Sequence, residues 1–362
     1  MGGEERRFFP GGNTPSGFTS FYDYIYGENE KNVFILKGGP GTGKSGLIRK
    51  IAKIAKDEKY DIEILRCSGD PESLDGVRIP ELMTTILDGT SPHTVDASMP
   101  GVRDNIVNLG DFWDTEGIRR HACELKWLNT NKKEHYNRAY TYLKAASVIK
   151  NNIDRIADRN LNIGKTNILA DNICKELFND IDISMKQGVE RKLFASAITG
   201  KGIISELDSM FQGMNVYAFK CDFGSASKII LEKLKYEYII RGFAVEAAYC
   251  PLNPDKLEHL IIPQIKTAFT TFNEYHRSFG SNVIYEYPLT DFYNEVEFEK
   301  NENEYDIYRI GELLDRASRS LAKASKSHMA LEDCYTPYMD FDAVNLCTEI
   351  IVGQVFGESF IT

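Results

Sequence analysis

Residues 32–37 read NVFILK, an apolar run closed by glycine, and this pattern predicts a buried strand. From Lys44 to about Glu58, apolar side chains recur at Leu47, Ile48, Ile51, Ile54 and Ala55, the spacing of one helical face. Asp61–Arg66, Met83–Leu87 and Ile106–Leu109 are further short apolar runs and are predicted as strands. Strands alternating with helices imply an α/β fold, a parallel sheet with flanking helices. From about residue 115 to 158 the chain turns polar, while Ala139, Leu143, Ala146 and Ile149 keep a helical spacing. That stretch is predicted as a helical appendage, matched later in the chain from about Ile310 to Asp333.

The pattern repeats. NVFILK at 32–37 returns as NVYAFK at 215–220, an offset of 183 residues. At the same offset Gly41 meets Gly224, Cys67 meets Cys250, and Ile79-Pro80 meets Ile262-Pro263. Upstream, Phe9, Thr14, Gly17 and Asp23 pair with Phe194, Thr199, Gly202 and Asp208 at offset 185. Downstream, LGDFWD (109–114) pairs with LTDFYN (289–294) at offset 180, and Arg138-Ala139 with Arg316-Ala317 at offset 178. Order is kept with only small drifts, so the chain is a tandem duplication. The expected domains are residues 1–185 and 186–362.

The length of 362 residues agrees with two domains of roughly 150 residues each. With 43 Lys plus Arg against 53 Asp plus Glu, the net charge of −10 argues against coating nucleic acid or anionic membrane. Seven cysteines without a C-x-x-C pair read as reduced thiols. The MGGEERRFFPGG start has no apolar core, and no run approaches the roughly 18 apolar residues of a membrane span. A cytoplasmic location is the expectation.

The candidate chemistry lies between the first strand and the first helix. Gly38-Gly39-Pro40-Gly41-Thr42-Gly43-Lys44-Ser45 fits G-x-x-x-x-G-K-[ST]. Glycines let such a loop curl so that backbone N–H groups converge on phosphate oxygens, and the helix opening at Lys44 adds its positive end. Lys44 would bridge the β and γ phosphates, and Ser45 would ligate Mg²⁺. A metal-side carboxylate is supplied by Asp88, which closes the Met83–Leu87 run, with Asp111 as the competitor.

The second copy acts as a natural variant. Its loop reads Cys221-Asp222-Phe223-Gly224-Ser225-Ala226-Ser227-Lys228, so the lysine and serine are displaced and phosphate binding is expected to be lost. Asp88 maps to Thr271, whereas Asp111 maps to Asp291, and decay together with the loop favours Asp88 as the ligand. By the same logic Asp70 (now Asn253) and Glu81 (now Gln264) are candidates to orient an attacking water. Surface or capping roles compete for both. Arg78, Arg103 and His93 are weaker candidates; ordinary surface or loop-packing roles compete. Cys67 reads as a small buried hydrophobe, and the aromatics from Phe8 to Tyr24 as core.

At GGPGTGKS the chain resembles the P-loop NTPase superfamily. RFFPGGNTPSGFTSFYDYI, SGDPESLDGVRIPEL, ILDGTSPH and NLGDFWD further resemble a bacterial family of tandem P-loop ATPases, sometimes labelled nucleotide kinases. The resemblance covers most of the chain, including CPLNPDKLEHLIIP in the second half. It implies two P-loop NTPase-like domains, with ATP at Gly38–Ser45, and no established substrate. Some members keep a better-preserved second loop; this chain departs from them at Ser227 and Lys228. Three functions are open at this point. The chain is a Mg²⁺-dependent ATPase with a regulatory or partner-binding second half, or a nucleotide or small-molecule kinase whose lid is the Arg-bearing 115–158 stretch. The third is a nucleotide-gated module for an unidentified partner, with negligible hydrolysis.

Overall fold

A computed structural model describes residues 3–276, 282–293, 300–357 and 360, with no account of the side chains of 300–302. The first half contains strands β1 (Glu5–Phe8), β2 (Gly11–Thr14), β3 (Gly17–Ser20) and β4 (Asn32–Lys37), then helix α1 (Lys44–Asp57). Strands β5 (Ile62–Arg66), β6 (Leu74–Ile79), β7 (Thr84–Asp88) and β8 (Asp104–Asn108) follow, then α2 (Thr115–Arg119), α3 (Ala122–Arg159) and α4 (Ile163–Phe178). The second half repeats the series: β9 (Glu190–Leu193), β10 (Ser196–Thr199), β11 (Gly202–Ser205), α5 (Leu207–Met210), β12 (Asn215–Lys220) and α6 (Ala226–Ile240). It ends with β13 (Val245–Cys250), β14 (Asn253–Ile262), β15 (Thr267–Phe272), β16 (Asn282–Pro288), α7 (Lys300–Tyr335) and α8 (Phe341–Phe356). Among the described residues no helix is long and apolar enough to cross a membrane.

The fold is α/β with two six-stranded sheets, ordered β1-β5-β6-β7-β4-β8 and β9-β13-β14-β15-β12-β16. The two orders are the same once each strand is replaced by its repeat partner. Each sheet is mixed rather than parallel, because β6 and β14 run antiparallel to both neighbours. The β6 segment, LDGVRI, carries Asp75, Gly76 and Arg78 and so offers no apolar run to read as a strand.

Alternation along the strands divides the interior into layers. Val33, Ile35, Leu65 and Leu87 face one way and meet Val216, Ala248, Ile261 and Ala268 of the other sheet, so the two sheets pack face to face. Phe8 and Tyr22 join this layer, as the packing role expected of the amino-terminal aromatics requires. At its edge Phe9 and Phe194 exchange both backbone hydrogen bonds, at 3.0 and 2.9 Å. Phe34, Leu36, Ile64 and Ile86 point the opposite way, beneath α1.

The outer layers cross between the halves. Ile351 and Val352 of α8 complete the core beneath α1, while Ala170, Ile173 and Phe178 of α4 complete the core beneath α6. Each half therefore ends in a helix that covers the other half's sheet. The long helices α3 and α7 make the exchange and pack together through Ala139, Leu143, Ala146 and Ile153 against Ile310, Leu314, Ala317 and Leu321. The repeats divide near residue 185, but the packed units do not follow that division.

Candidate functional site

The chain leaves β4 through Gly38–Gly43 and enters α1 at Lys44. Gly38, Gly41 and Gly43 have φ of 143°, 72° and 86°, conformations that favour glycine. Gly43 is the N-cap of α1 and supplies no side chain to the first-turn amides, which keeps that end of the helix available to an anion. Thr42 Oγ1 donates to the Gly39 carbonyl at 2.9 Å and tightens the loop. Lys44 Nζ folds back to donate to the carbonyls of Gly38 and Gly39, at 3.0 and 2.8 Å. It also lies 3.7 Å from Asp88 Oδ2.

Asp88 is the last residue of β7, paired in register with Leu36 of the parallel neighbour β4. Its other oxygen, Oδ1, accepts from the amide and hydroxyl of Thr90 at 2.9 and 2.6 Å. Ser45 Oγ accepts from the Leu74 amide at 3.1 Å and from Arg49 Nε at 3.4 Å, bonds that an ion at this oxygen would displace in part. Asp70 lies in the loop after β5, at the same sheet edge, with Oδ1 accepting from the Glu72 amide at 3.1 Å. Its charge is felt by His328 and Glu332 across the loop.

Glu81 is not brought to this edge. It sits exposed in the turn between β6 and β7, where the Asp61 amide donates to its Oε1 at 3.4 Å. That turn precedes β7, whereas Asp88 ends it, so the whole strand separates Glu81 from the loop and excludes it from orienting water there. Arg78 is held at the same far edge by Glu30 and Glu63, at 3.1 and 3.4 Å. Arg103 is spent on Asp104 at 2.6 Å, before β8 begins its run. His93 is buried, stacked on Tyr22 and 3.6 Å from Asp75. Asp111 accepts from Asn108 Nδ2 at 2.6 Å in the turn after β8.

The loop has a cover that comes from the second half. A Cβ on Gly41 would fall 3.0 Å from the Glu332 carbonyl oxygen in the last turn of α7 and 2.9 Å from Thr336 Oγ1 just beyond it. The Gly41 amide lies near enough to the Glu332 carboxylate to favour its charge, but burial together with the Asp70 charge pushes its pKa up. His328, one turn earlier, is pushed down to about 4 by burial and by the charges of Lys132 and Lys44. Trp113 packs its ring edge close to Gly39 and lies against Tyr335, with ring centroids 5.5 Å apart.

The corresponding loop of the second half is filled by carboxylates from α3. Asp154 Oδ1 accepts from the Gly224 amide at 2.8 Å, and Asp158 Oδ1 accepts from the Ser225 amide and hydroxyl at 2.8 and 2.9 Å. Lys150 holds Asp154 at 2.8 Å, and Lys256 lies 3.7 Å from it while donating to the Gly224 carbonyl at 3.0 Å. Burial opposes ionisation of Asp154, but Lys256 and Lys150 prevail and its pKa is lowered. Tyr293 Oη accepts from the Ala226 amide at 3.2 Å.

The offset of 178 that pairs Arg138 with Arg316 also pairs Asp154 with Glu332, Lys150 with His328 and Asp158 with Thr336. His328, Glu332 and Lys132 were not singled out from the sequence. The signal that could have found them is this pairing, which places one acid at the same point of each long helix.

No known protein family, curated protein or solved structure matches the chain.

Proposed function

We propose that the chain binds Mg²⁺-ATP at Gly38–Ser45 and hydrolyses it. The reading is carried by Lys44, whose ammonium is held between the loop carbonyls and Asp88, beside the uncapped start of α1. A lysine so placed, with converging amides around it, suits the β and γ phosphates of a nucleoside triphosphate. The hard oxygens of Ser45 and Asp88 fit Mg²⁺, which would offset phosphate charge. Asp70, on the same sheet edge, is the group we assign to orienting water. The amides of the loop hold the transferred group, and Lys44 follows the charge that develops on the bridging oxygen.

The second half serves as a non-binding copy. Its loop amides are already paired with Asp154 and Asp158, and Ser227 stands in the place of the lysine. Calorimetry with ATP and Mg²⁺ tests the reading: one site is expected, weakened roughly ten- to hundredfold in Lys44→Ala, the scale of a charged hydrogen bond. Equal binding and equal ADP release by the two proteins would remove it.

The position of Glu332 favours a second, gated reading. Its carboxylate lies near the Gly41 amide, which a phosphate would need, so nucleotide and α7 would compete for the same place. Binding of ATP would then be reported to the second half through α7 whether or not turnover is fast.

A further inference from the structure

Away from the loop, the second half buries two histidines and a glutamate whose ligand atoms converge. One ligand atom each from Glu258, His259 and His276 lies within 4.8 Å of the other two, and all three residues are buried. The imidazole rings meet edge to face with centroids 4.6 Å apart. Among the described residues, His259 Nε2 and His276 Nδ1 have no hydrogen-bond partner. Unpaired buried nitrogens are costly, and two of them on imidazole rings in contact call for an occupant.

The opposite nitrogens are committed in the manner of metal ligands. His259 Nδ1 is 2.7 Å from Thr270 Oγ1, and the Thr270 hydroxyl donates onward to the Thr271 carbonyl at 3.5 Å. Thr270 Oγ1 can then accept from Nδ1–H, the tautomer that leaves the Nε2 lone pair bare. His276 Nε2 is 3.2 Å from Ser196 Oγ, which can accept in the same way. Such outer partners fix ring orientation and raise ligand basicity. Burial pushes both imidazoles towards the neutral form, in His276 against the pull of Glu258.

The first half shows that this is not an inherited packing habit. The offset of 183 maps Glu258 to Asp75, His276 to His93, His259 to Gly76 and Ala248 to Leu65. There Tyr22 Oη donates to Asp75 at 2.7 Å and stacks on His93, so the polar pair is closed. A Cβ on Gly76 would fall 2.6 Å from the Leu65 side chain, which fills the space. In the second half Leu207 replaces Tyr22, and Ala248 clears the room that His259 enters. A cavity of about 30 Å³, the room of one water, adjoins Glu258 and His276 and is also lined by Cys250 and Lys150. The Lys150 charge there is matched by Asp154.

We propose that Glu258, His259 and His276 form a binding site for one divalent transition-metal ion of the zinc type. Two neutral imidazoles and one carboxylate are a ligand set that zinc takes readily, and the small cavity leaves room for a water as the fourth ligand. Tetrahedral ligand atoms lie about 3.4 Å apart, so from separations of at most 4.8 Å the side chains need draw in by no more than about 1.4 Å. This proposal does not depend on nucleotide binding by the other half.

The test uses the full chain, stripped with chelator and titrated with Zn²⁺ and, separately, Co²⁺. One equivalent is expected to bind and to raise the melting temperature. His259→Ala and His276→Ala should each weaken binding at least tenfold, and Thr270→Val, which removes only the outer partner, by about tenfold. X-ray absorption of the Co²⁺-loaded wild-type chain should show two imidazole nitrogens, a readout that needs no variant to fold. No binding below millimolar Zn²⁺ would overturn the proposal. So would unchanged stoichiometric binding in the histidine variants, or a Co²⁺ shell without imidazole.

Discussion

The Asp154 carboxylate lies 2.8 Å from the Gly224 amide nitrogen, and the repeat partner of Asp154, Glu332, faces the repeat partner of Gly224, Gly41. The same helix position thus approaches the same loop position in both halves. In the second half two lysines hold the acid in place. In the first half His328, made neutral by burial, stands where Lys150 stands, and no charge on that turn of the helix holds Glu332 down.

Glu332 is therefore expected to be a displaceable occupant. Glu332→Ala should tighten Mg²⁺-ATP binding by several-fold, since nothing then competes for the Gly41 amide, and Glu332→Gln by less, since it removes the charge beside the phosphates but keeps an acceptor oxygen. Asp154→Ala in the second half should create no nucleotide site, because Ser227 supplies no ammonium. Calorimetry on the three variants reads this directly. Weaker binding in Glu332→Gln would show that the carboxylate assists the nucleotide rather than opposing it.

Trp113 offers an optical check on the same loop. It packs against Gly39, while the other tryptophan, Trp127, is exposed on α3. In Trp127→Phe the emission comes from Trp113 alone, and Mg²⁺-ATP is expected to change its intensity or wavelength. The change should vanish with Lys44→Ala in the same background. A fluorescence response to ATP that survives loss of Lys44 would place the nucleotide elsewhere.

Much of this arrangement was legible in the residues. NVFILK and the Leu47–Ala55 periodicity became β4 and α1, and decay of Asp88 to Thr271 pointed at the acid that the structure sets beside Lys44. The hairpin β2–β3 was not legible, because GGNT has no apolar member to alternate. Glu81 misled because its change to Gln264 reports only that the charge is dispensable. It does not say at which end of β7 the residue sits. The exchange of α4 and α8 was invisible for a different reason: an amphipathic helix specifies that it needs an apolar surface, not which of two similar sheets provides it.

The interface between the halves carries a reciprocal ion-pair set that should govern acid stability. Arg6 binds Glu246 at 2.5 Å, and its repeat partner Arg191 binds Glu63 at 2.8 Å, the glutamates being repeat partners as well. Burial opposes ionisation of Glu63, but Arg191, Arg78 and Arg6 hold its pKa down to about 2. A lowered carboxyl pKa stabilises the fold above the unfolded value of about 4.3, and that contribution is lost as pH falls towards 2. Denaturant titrations between pH 7 and pH 2 should show stability declining over that window. Glu63→Gln should cost roughly 1–3 kcal/mol at pH 7, because Arg191, Arg6 and Arg78 lose one of their two carboxylates and keep only Glu246 or Glu30, and should flatten the acid limb. An unchanged acid limb would show that other carboxylates control it.

The crossed helices make the halves dependent on one another. Residues 1–185 alone would lack α8, exposing the apolar surface that Ile351 and Val352 cover, at about 1.5–3 kcal/mol for each side chain. Residues 186–362 alone would lack α4 and leave open the core that Ala170, Ile173 and Phe178 complete. Neither piece is expected to give a cooperative melt or a dispersed amide spectrum by itself. Co-expressed, they should assemble one-to-one, since α3 and α7 retain their contact and each piece carries the helix the other needs. Ile351→Ala in the intact chain should cost about 2–5 kcal/mol and loosen the amino-terminal sheet, in the half remote from it in sequence, as read by amide hydrogen exchange. Increased exchange confined to the carboxy-terminal sheet would show that α8 stabilises its own half instead.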